Sequence, residues 1–573
     1  MRKVKISKID MAAFLLLGIA SICILMRCFY SFSWSDESFY LTITHRLWLG
    51  ERIIADEWFK TQLSAPLMLP FYSLFQWITG GNEGVYLYFR LLYWGISMIT
   101  AMITYRILRK QNSVLPSLGC SFIYLFYSRA NIGGMSYYNM TLTFVLLAVL
   151  LLYDWLERKK RGRIRFYLIG VFLALAVVNT PHLAFLYVIV AMTLMISKKC
   201  REYRKNVFHV FAGTALTAIF YLGYVFYKVP IREIIINIPH ILNEPELQRT
   251  NPVMVIPLLI VRIAWRYVWT IGIIICLILY IWYRKWRNKG LTTRRINEII
   301  VVNLLIFVIN SYLSVDLIGC INIAGTLFWG VILYLLYDRK MVGKKTLSLF
   351  LTAGISVALG FSFSSNTGLD AMAVGFVLIA MGGLLAVFKL PEIKKNQILL
   401  GAVMIVISVM IIQTGILRLF SVYRDAPLDQ LDVQIVDGPA KYLYTTKEHE
   451  RQYSELKQAI GEYVREEDRV FFSKSCYWSY LCTNNEYGTP SSWRMAFNSP
   501  RLEEYFSLYP QKIPTCIFVL HPTYGSYESS MIQSNEKEEF PNVNKEEGFL
   551  YDYITANNYE KIELECATIY RNR

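Results

Sequence analysis

Lys8-Ile-Asp-Met-Ala-Ala-Phe-Leu-Leu-Leu-Gly-Ile-Ala-Ser-Ile-Cys-Ile-Leu-Met-Arg27-Cys-Phe-Tyr-Ser-Phe-Ser-Trp34-Ser-Asp36-Glu37-Ser-Phe-Tyr40 holds the two features on which the reading of this chain turns. An apolar run comes first, long enough to cross a bilayer, which takes about 20 residues. A pair of adjacent carboxylates follows just beyond its end. Upstream lies the basic stretch Met1-Arg-Lys-Val-Lys-Ile-Ser-Lys8. The run is too long for a secretory signal and no small-residue cleavage site ends it, so a retained first span with a cytoplasmic N-terminus is expected.

The pattern recurs outward from there. The chain has 573 residues, 55% of them hydrophobic, and a mean hydropathy of +0.37. Apolar runs at 11–33, 85–107, 113–128, 137–156, 166–179, 182–197, 207–227, 255–283, 297–314, 320–337, 346–363, 371–388 and 397–418 predict about 13 spans. The shortest, 166–179, ends at Asn179-Thr180-Pro181 and pairs with the next run as a tight helical hairpin.

The net charge of +17 is not the footprint of a nucleic-acid partner. Lys and Arg gather in short loops: Arg158-Lys159-Lys160-Arg161, Lys198-Lys199, Arg284-Lys285, Arg339-Lys340 and Lys394-Lys395. The alternate loops are nearly free of them, as the positive-inside rule expects, so no nucleic acid is predicted as a partner. An odd number of spans then places the residues after about 419 outside. A transmembrane domain over 1–419, with an outer loop at 34–84, and an extracytoplasmic α/β domain over 420–573 follow. In the tail, helix patterns lie near 448–466, 500–508 and 547–557, with strand-like runs at 469–473, 514–520, 562–565 and 567–570. No phosphate loop, nucleophile elbow or internal repeat is present. Ten cysteines are scattered, none in a Cys-x-x-Cys pair with histidine partners, so no zinc site is expected. A Cys476–Cys482 disulfide is compatible with an outer tail.

The loop 34–84 is amphipathic. Phe39, Leu41, Ile43, Leu47 and Leu49 interleave with Asp36, Glu37, His45 and Arg46, and Trp34, Trp48 and Trp58 suit a membrane interface. Interfacial helices on the outer leaflet are predicted. The second long outer segment, 228–254, is polar and proline-bearing.

Charged residues at a membrane surface are costly and tend to be functional, which singles out Asp36 and Glu37. Helix capping explains them equally well, with Ser35 or Asp36 as N-cap and acids favouring the first turn. Asp56 is a second acid or a solvated turn residue. His45 is an interfacial helix residue before it is a catalytic one, and Arg90 is structural or membrane-anchoring. Arg262 and Arg266 are four apart in an apolar run and share a helix face. Unpartnered at mid-membrane they would cost roughly 5–7 kcal/mol, so they line a wet cavity, face phosphate, or snorkel to the interface.

Trp34-Ser-Asp-Glu-Ser-Phe-Tyr40, then Leu49-Gly50-Glu-Arg-Ile-Ile-Ala-Asp56-Glu-Trp58, then Ser64-Ala-Pro-Leu67 resembles the first outer loop of C-type glycosyltransferases. These membrane enzymes include the protein O-mannosyltransferases and the aminoarabinose transferases of lipid A. Their common pattern is Asp-Glu followed by an aromatic, then a Gly, then a Pro-Leu opening the next helix. The tail stretch Gly438-Pro-Ala-Lys-Tyr-Leu-Tyr-Thr-Thr446 resembles tails of bacterial members. The resemblance implies a sugar donor carried on a polyprenyl phosphate, met among membrane lipids, and an envelope glycan, lipid or protein as acceptor. It implies Asp36 as general base, flanked by Glu37, with Asp56 as a second candidate, and inversion at the anomeric carbon, since adjacent carboxylates on a helix do not face one another.

Such a reaction wants positive charge at the leaving phosphate, for which Lys60, Arg129, Arg262 and Arg266 are the candidates. Two positions depart from the family pattern. Ser64-Ala65 stands where the aminoarabinose transferases carry a Lys, and Asn139, after Arg129-Ala-Asn-Ile-Gly-Gly-Met-Ser-Tyr-Tyr, stands where relatives carry an Asp. No cofactor is called for, and a divalent metal is not required. A polysaccharide polymerase or ligase is a rival reading, but it wants arginines in a large late outer loop, whereas 363–370 is short and nearly uncharged. A transporter or lipid flippase would show inverted repeats and mid-membrane ionisable residues; Asp316 and Asp370 instead fall near outer span ends.

Overall fold

The computed structural model describes residues 7–32, 36–158, 162–196, 204–243, 257–258, 260–261, 265, 268–287, 292–313, 342–364, 369–473, 476–493, 495–521 and 546–572. Helix α1 (Lys8–Arg27) starts at a capping box: Ser7 Oγ accepts from the Asp10 amide at 3.1 Å while the Asp10 carboxylate accepts from the Ser7 amide at 3.3 Å. Next come α2 (Asp36–Trp48), α3 (Ala65–Thr79), α4 (Val85–Arg109), α5 (Val114–Phe126), α6 (Tyr137–Arg158), α7 (Arg163–Asn179), α8 (Leu183–Ile196), α9 (Arg204–Lys228) and α10 (Ile231–Leu242). The bundle ends with α11 (Val268–Trp286), α12 (Thr293–Leu313), α13 (Val342–Ser364), α14 (Leu369–Val387) and α15 (Gln397–Phe420).

Among the described residues six helices are long and apolar enough to cross a membrane: α1, α4, α6, α9, and the greater parts of α13 and α15. Shorter apolar helices join them at Val114–Phe126, Ile271–Arg284 and Met372–Val387. The chain is a multi-pass helical membrane protein. The run at 320–337 and Asp316 lie outside the described residues, as do Cys200 and Cys320.

Small residues let helices meet backbone to backbone, as lipid-embedded packing favours. A Cβ on Gly170 of α7 would lie 2.0 Å from the Val210 carbonyl of α9, and one on Gly375 of α14 would lie 2.1 Å from the Gly354 carbonyl of α13.

Beyond α15 the chain builds a small α/β domain. Strand β1 (Val433–Gln434) pairs antiparallel with β2 (Tyr444–Thr445). A five-stranded mixed sheet then forms from β3 (Arg469–Phe472), β4 (Glu486–Tyr487), β5 (Cys516–Leu520), β6 (Glu560–Glu563) and β7 (Ala567–Arg571), in the order β4-β3-β5-β7-β6. Strand β3 runs parallel to β4 and β5, and β7 antiparallel to β5 and β6. Helices α16 (Lys447–Tyr463), α17 (Pro500–Leu508) and α18 (Phe549–Ala556) flank it. The helix and strand patterns of the tail therefore fall on real elements. The two-residue strands β1, β2 and β4 were too short to leave a periodic signal.

Three sequence expectations change. Helix α2 does not lie on lipid: Glu37 through Leu47 are all buried, polar and apolar positions alike. Its polar face is covered by the tail domain, which bonds to it through Thr42 Oγ1 to the Tyr477 carbonyl (2.9 Å) and His45 Nε2 to the Thr483 carbonyl (2.9 Å). Segment 228–254 is not simply polar, since it contains the amphipathic helix α10. There Asn237 is buried against Trp58 and Tyr509, while Ile231, Ile235 and Leu242 stay exposed. Finally, Cys476 and Cys482 are free thiols, directed to Ser479 Oγ and to the Trp478 carbonyl respectively.

The end of α1 and the start of the tail are tied together. The Ser31 amide donates to the Tyr444 carbonyl (2.9 Å) and the Tyr444 amide to the Phe29 carbonyl (2.8 Å). Asp425, fully buried, accepts from the Phe32 amide at 2.6 Å and from His449 Nδ1 at 2.7 Å.

Candidate functional site

Asp36 is the first residue of α2, where the unpaired amides of a helix N-terminus favour a carboxylate. Its Oδ2 is held from the segment just after α15: the Tyr423 hydroxyl donates at 2.5 Å and Arg424 Nη1 lies at 3.0 Å. Burial and the neighbouring carboxylate push the Tyr423 phenol well above its ordinary range, so it remains a donor. Among the described residues Oδ1 has no protein partner, and the side chain keeps 22% of its surface. Tyr40 lies within electrostatic reach of both Asp36 and Arg129, and packs edge-on against Tyr137 at 5.7 Å. Tyr137, Tyr138 and Phe361 continue this aromatic wall.

Glu37 has a different task. Arg90 grips it with two bonds, Nε to Oε1 at 2.8 Å and Nη2 to Oε2 at 2.6 Å, and sends Nη1 to the carbonyls of Cys28 and Tyr30. This buried fork locks the start of α2 to α4 and to the end of α1, so Glu37 positions its neighbour and is not available as a second base. Gly134 backs it closely: a Cβ there would sit 3.2 Å from Glu37 Oε1.

Arg129 stacks over Tyr138, 3.7 Å from the ring centroid, within electrostatic reach of Tyr40 and Tyr423. Asn139 shapes the loop before α6, donating from Nδ2 to the carbonyls of Ile132 (3.1 Å) and Gly134 (3.0 Å). Lys60 opens a 3-10 turn beside His182, and no bond among the described residues links it to Asp36. Arg262 and Arg266 lie outside the described residues.

Asp56 belongs to a buried charge network at the other end of α2. Burial works to raise its carboxyl, but Arg52, Lys512 and Arg46 overcome that and hold it below the ordinary range. Arg52 bonds it through the backbone amide (2.7 Å) and Nη2 (3.1 Å), which makes it a structural acid.

His45 is buried and uncharged. Its Nε2 faces the Thr483 carbonyl, which can only accept, so Nε2 carries the proton, and Nδ1 lies 2.8 Å from the Tyr72 hydroxyl, which is also in contact with Asn82 Oδ1. Burial pushes the imidazole down to about 4, with the Thr483 bond opposing it. An unfolded chain takes up that proton below about pH 6.5, whereas the folded protein refuses it until about pH 4. Acid therefore favours unfolding across this window, by up to roughly 3 kcal/mol. The melting temperature should fall between these pH values in the wild type and fall less in His45→Gln. Equal slopes would contradict this account of His45.

Sequence reasoning passed over Tyr423, Arg424, Arg27 and Arg418. Arg27 ends α1 and Arg418 lies in the last turn of α15. With Arg90, Asn131 and Tyr423 they line a small cleft beside Glu37. The available signal was a basic residue at the end of a span whose neighbouring loops otherwise carry few.

No family model matches the chain, and no curated protein matches it by sequence. Among solved structures it is similar to the Archaeoglobus fulgidus oligosaccharyltransferase in complex with zinc and sulfate, at 11% identity and a TM-score of 0.48, over 97% of this chain and 73% of that one. The apo form of that enzyme gives 10% identity and a TM-score of 0.47, over 89% and 69% of the two chains. ArnT from Cupriavidus metallidurans bound to undecaprenyl phosphate gives 8% identity and a TM-score of 0.42, over 98% and 97%. These neighbours are C-type glycosyltransferases.

Proposed function

We propose that the protein is a membrane glycosyltransferase that moves a sugar from a polyprenyl phosphate to an extracytoplasmic glycan, lipid or protein, with inversion and with Asp36 as general base. The observation that carries this reading is the state of Asp36. One oxygen is fixed by Tyr423 and Arg424, the other is unpartnered among the described residues, and the residue sits at the head of a buried helix at one end of a membrane bundle. A capping acid needs no such clamp from a segment beyond the last span.

In the proposed reaction, the acceptor hydroxyl gives its proton to Asp36 Oδ1 while its oxygen bonds to the anomeric carbon. The bond from that carbon to the phosphate oxygen breaks, and the electron pair leaves with the lipid phosphate. A single-step attack from the opposite face inverts the centre. The aromatic wall of Tyr40, Tyr137 and Tyr138 offers ring faces for a sugar. Arginines supply the counter-charge, so the reading calls for no cofactor. The tail domain, which covers α2, would lie on the outer face and help present the acceptor.

The test is to incubate purified protein with a panel of polyprenyl-phosphate sugars and to measure release of free polyprenyl phosphate, with Asp36→Asn as control. Turnover that depends on Asp36 is expected. Turnover of the same size in the variant would remove Asp36 from the mechanism.

A further inference from the structure

The cleft beside Glu37 contains more positive charge than its surroundings use. Arg90 is matched by Glu37. Arg27 donates only to backbone carbonyls, of Tyr30 at 2.6 Å and Ser421 at 3.0 Å, and Arg418 donates to the Asn131 side chain. The Nε atoms of both are buried without an acceptor. Neither makes an ion pair among the described residues. Two guanidiniums thus share one largely desolvated cleft without a carboxylate of their own. An uncompensated buried charge is strongly unfavourable, so the arrangement is that of a receptor awaiting an anion.

The geometry points to a phosphate group on a lipid: we propose that Arg27 and Arg418 bind the phosphate of the polyprenyl donor and of the released polyprenyl phosphate. This rests on the proposed function and names the cations that the sequence left open. The planar guanidinium fork suits phosphate oxygens. The lipid source follows from what adjoins the cleft. The two arginines terminate the first and last membrane helices, and those helices expose apolar side chains in the turns that lead up to them: Ile22 and Met26 on α1, Ile412 and Ile416 on α15. An isoprenoid chain can run along that surface while its phosphate occupies the cleft, within the same set of residues that clamps Asp36, since Tyr423 lines the cleft and bonds to Asp36.

The test uses the full-length protein in detergent with three probes: undecaprenyl phosphate, undecaprenol and inorganic phosphate. Binding is read as the concentration-dependent rise in melting temperature. Undecaprenyl phosphate should stabilise the wild type and the alcohol should not. Arg27→Gln and Arg418→Gln should each weaken the lipid phosphate roughly tenfold to hundredfold, the loss expected for a charged hydrogen-bonding group. Arg27→Lys and Arg418→Lys keep the charge without the fork and should fall between, which also covers a Gln variant that fails to fold. Asp36→Asn should bind as the wild type does while losing turnover. Unchanged lipid affinity in all four arginine variants overturns the cleft while leaving the glycosyltransferase reading intact. Inorganic phosphate binding as tightly as the lipid overturns the lipid as source. A wild type that binds no polyprenyl phosphate overturns both readings.

Discussion

Asp36→Asn should lower sugar transfer by roughly 10²- to 10⁴-fold, the usual contribution of a positioned general base, while leaving the protein folded and its lipid-phosphate affinity intact. The substitution is nearly isosteric. Its carbonyl oxygen can still accept from Tyr423 and Arg424, which turns the amide toward the position of Oδ1. The one thing removed is the capacity to take a proton there. Arg424→Gln probes the clamp: it should reduce kcat less than Asp36→Asn does, because Tyr423 still holds Oδ2. A purely capping Asp36 makes a different forecast, since Asn is as good an N-cap as Asp. Under that reading the variant would melt and transfer like the wild type. Activity measured alongside melting temperature therefore separates the two accounts that the sequence alone left balanced.

Several apolar helices were legible because a bilayer imposes a length that survives as a linear pattern. Val85–Arg109, Tyr137–Arg158 and Gln397–Phe420 start and stop within a few residues of their apolar runs. Asp36 was legible as a short motif. What surrounds it was not. Arg27, Arg90, and the pair Arg418 and Arg424 converge from three separate segments, and nothing periodic relates them. Arg90 was read as structural or anchoring; its partner Glu37 is 53 positions away and was taken for a catalytic acid. The tail's role was hidden for a related reason. An amphipathic helix next to a membrane has the same pattern whether its polar face meets water or a domain that bonds to it. Only the coverage of α2 by 477–492 shows which case applies.

That coverage makes Arg46→Met a severely damaging structural substitution. Arg46 is fully buried near the end of α2. It bonds Glu51 Oε2 through Nε (2.7 Å), Glu57 Oε2 through Nη1 (3.0 Å) and the Thr489 carbonyl through Nη2 (2.7 Å). Burial works to lower the affinity of its guanidinium for the proton, but the two glutamates outweigh that and hold it well above its ordinary range. Both carboxylates reach into the tail domain: Glu51 accepts from the Tyr487 amide at 2.7 Å and Glu57 from Ser492 Oγ at 2.7 Å. Removing the arginine leaves two buried carboxylates, of which only Glu51 has another cation nearby, Lys512 at 3.3 Å. Breaking a buried pair from one side costs about 3–5 kcal/mol, so the variant should lose that much stability or fail to fold. Neutralising the acids as well, in Arg46→Met/Glu51→Gln/Glu57→Gln, should recover part of the loss, because the penalty comes from the stranded charges more than from the missing attraction. A triple variant as unstable as the single one would contradict this. The network also bears on transfer. Arg46 fixes the far end of the helix that begins at Asp36, so a surviving single variant should lose kcat through a displaced base. Among the residues lining the cleft of Arg27 and Arg418, α2 contributes Glu37 and the others come from elsewhere, so undecaprenyl phosphate affinity there should fall less than kcat does.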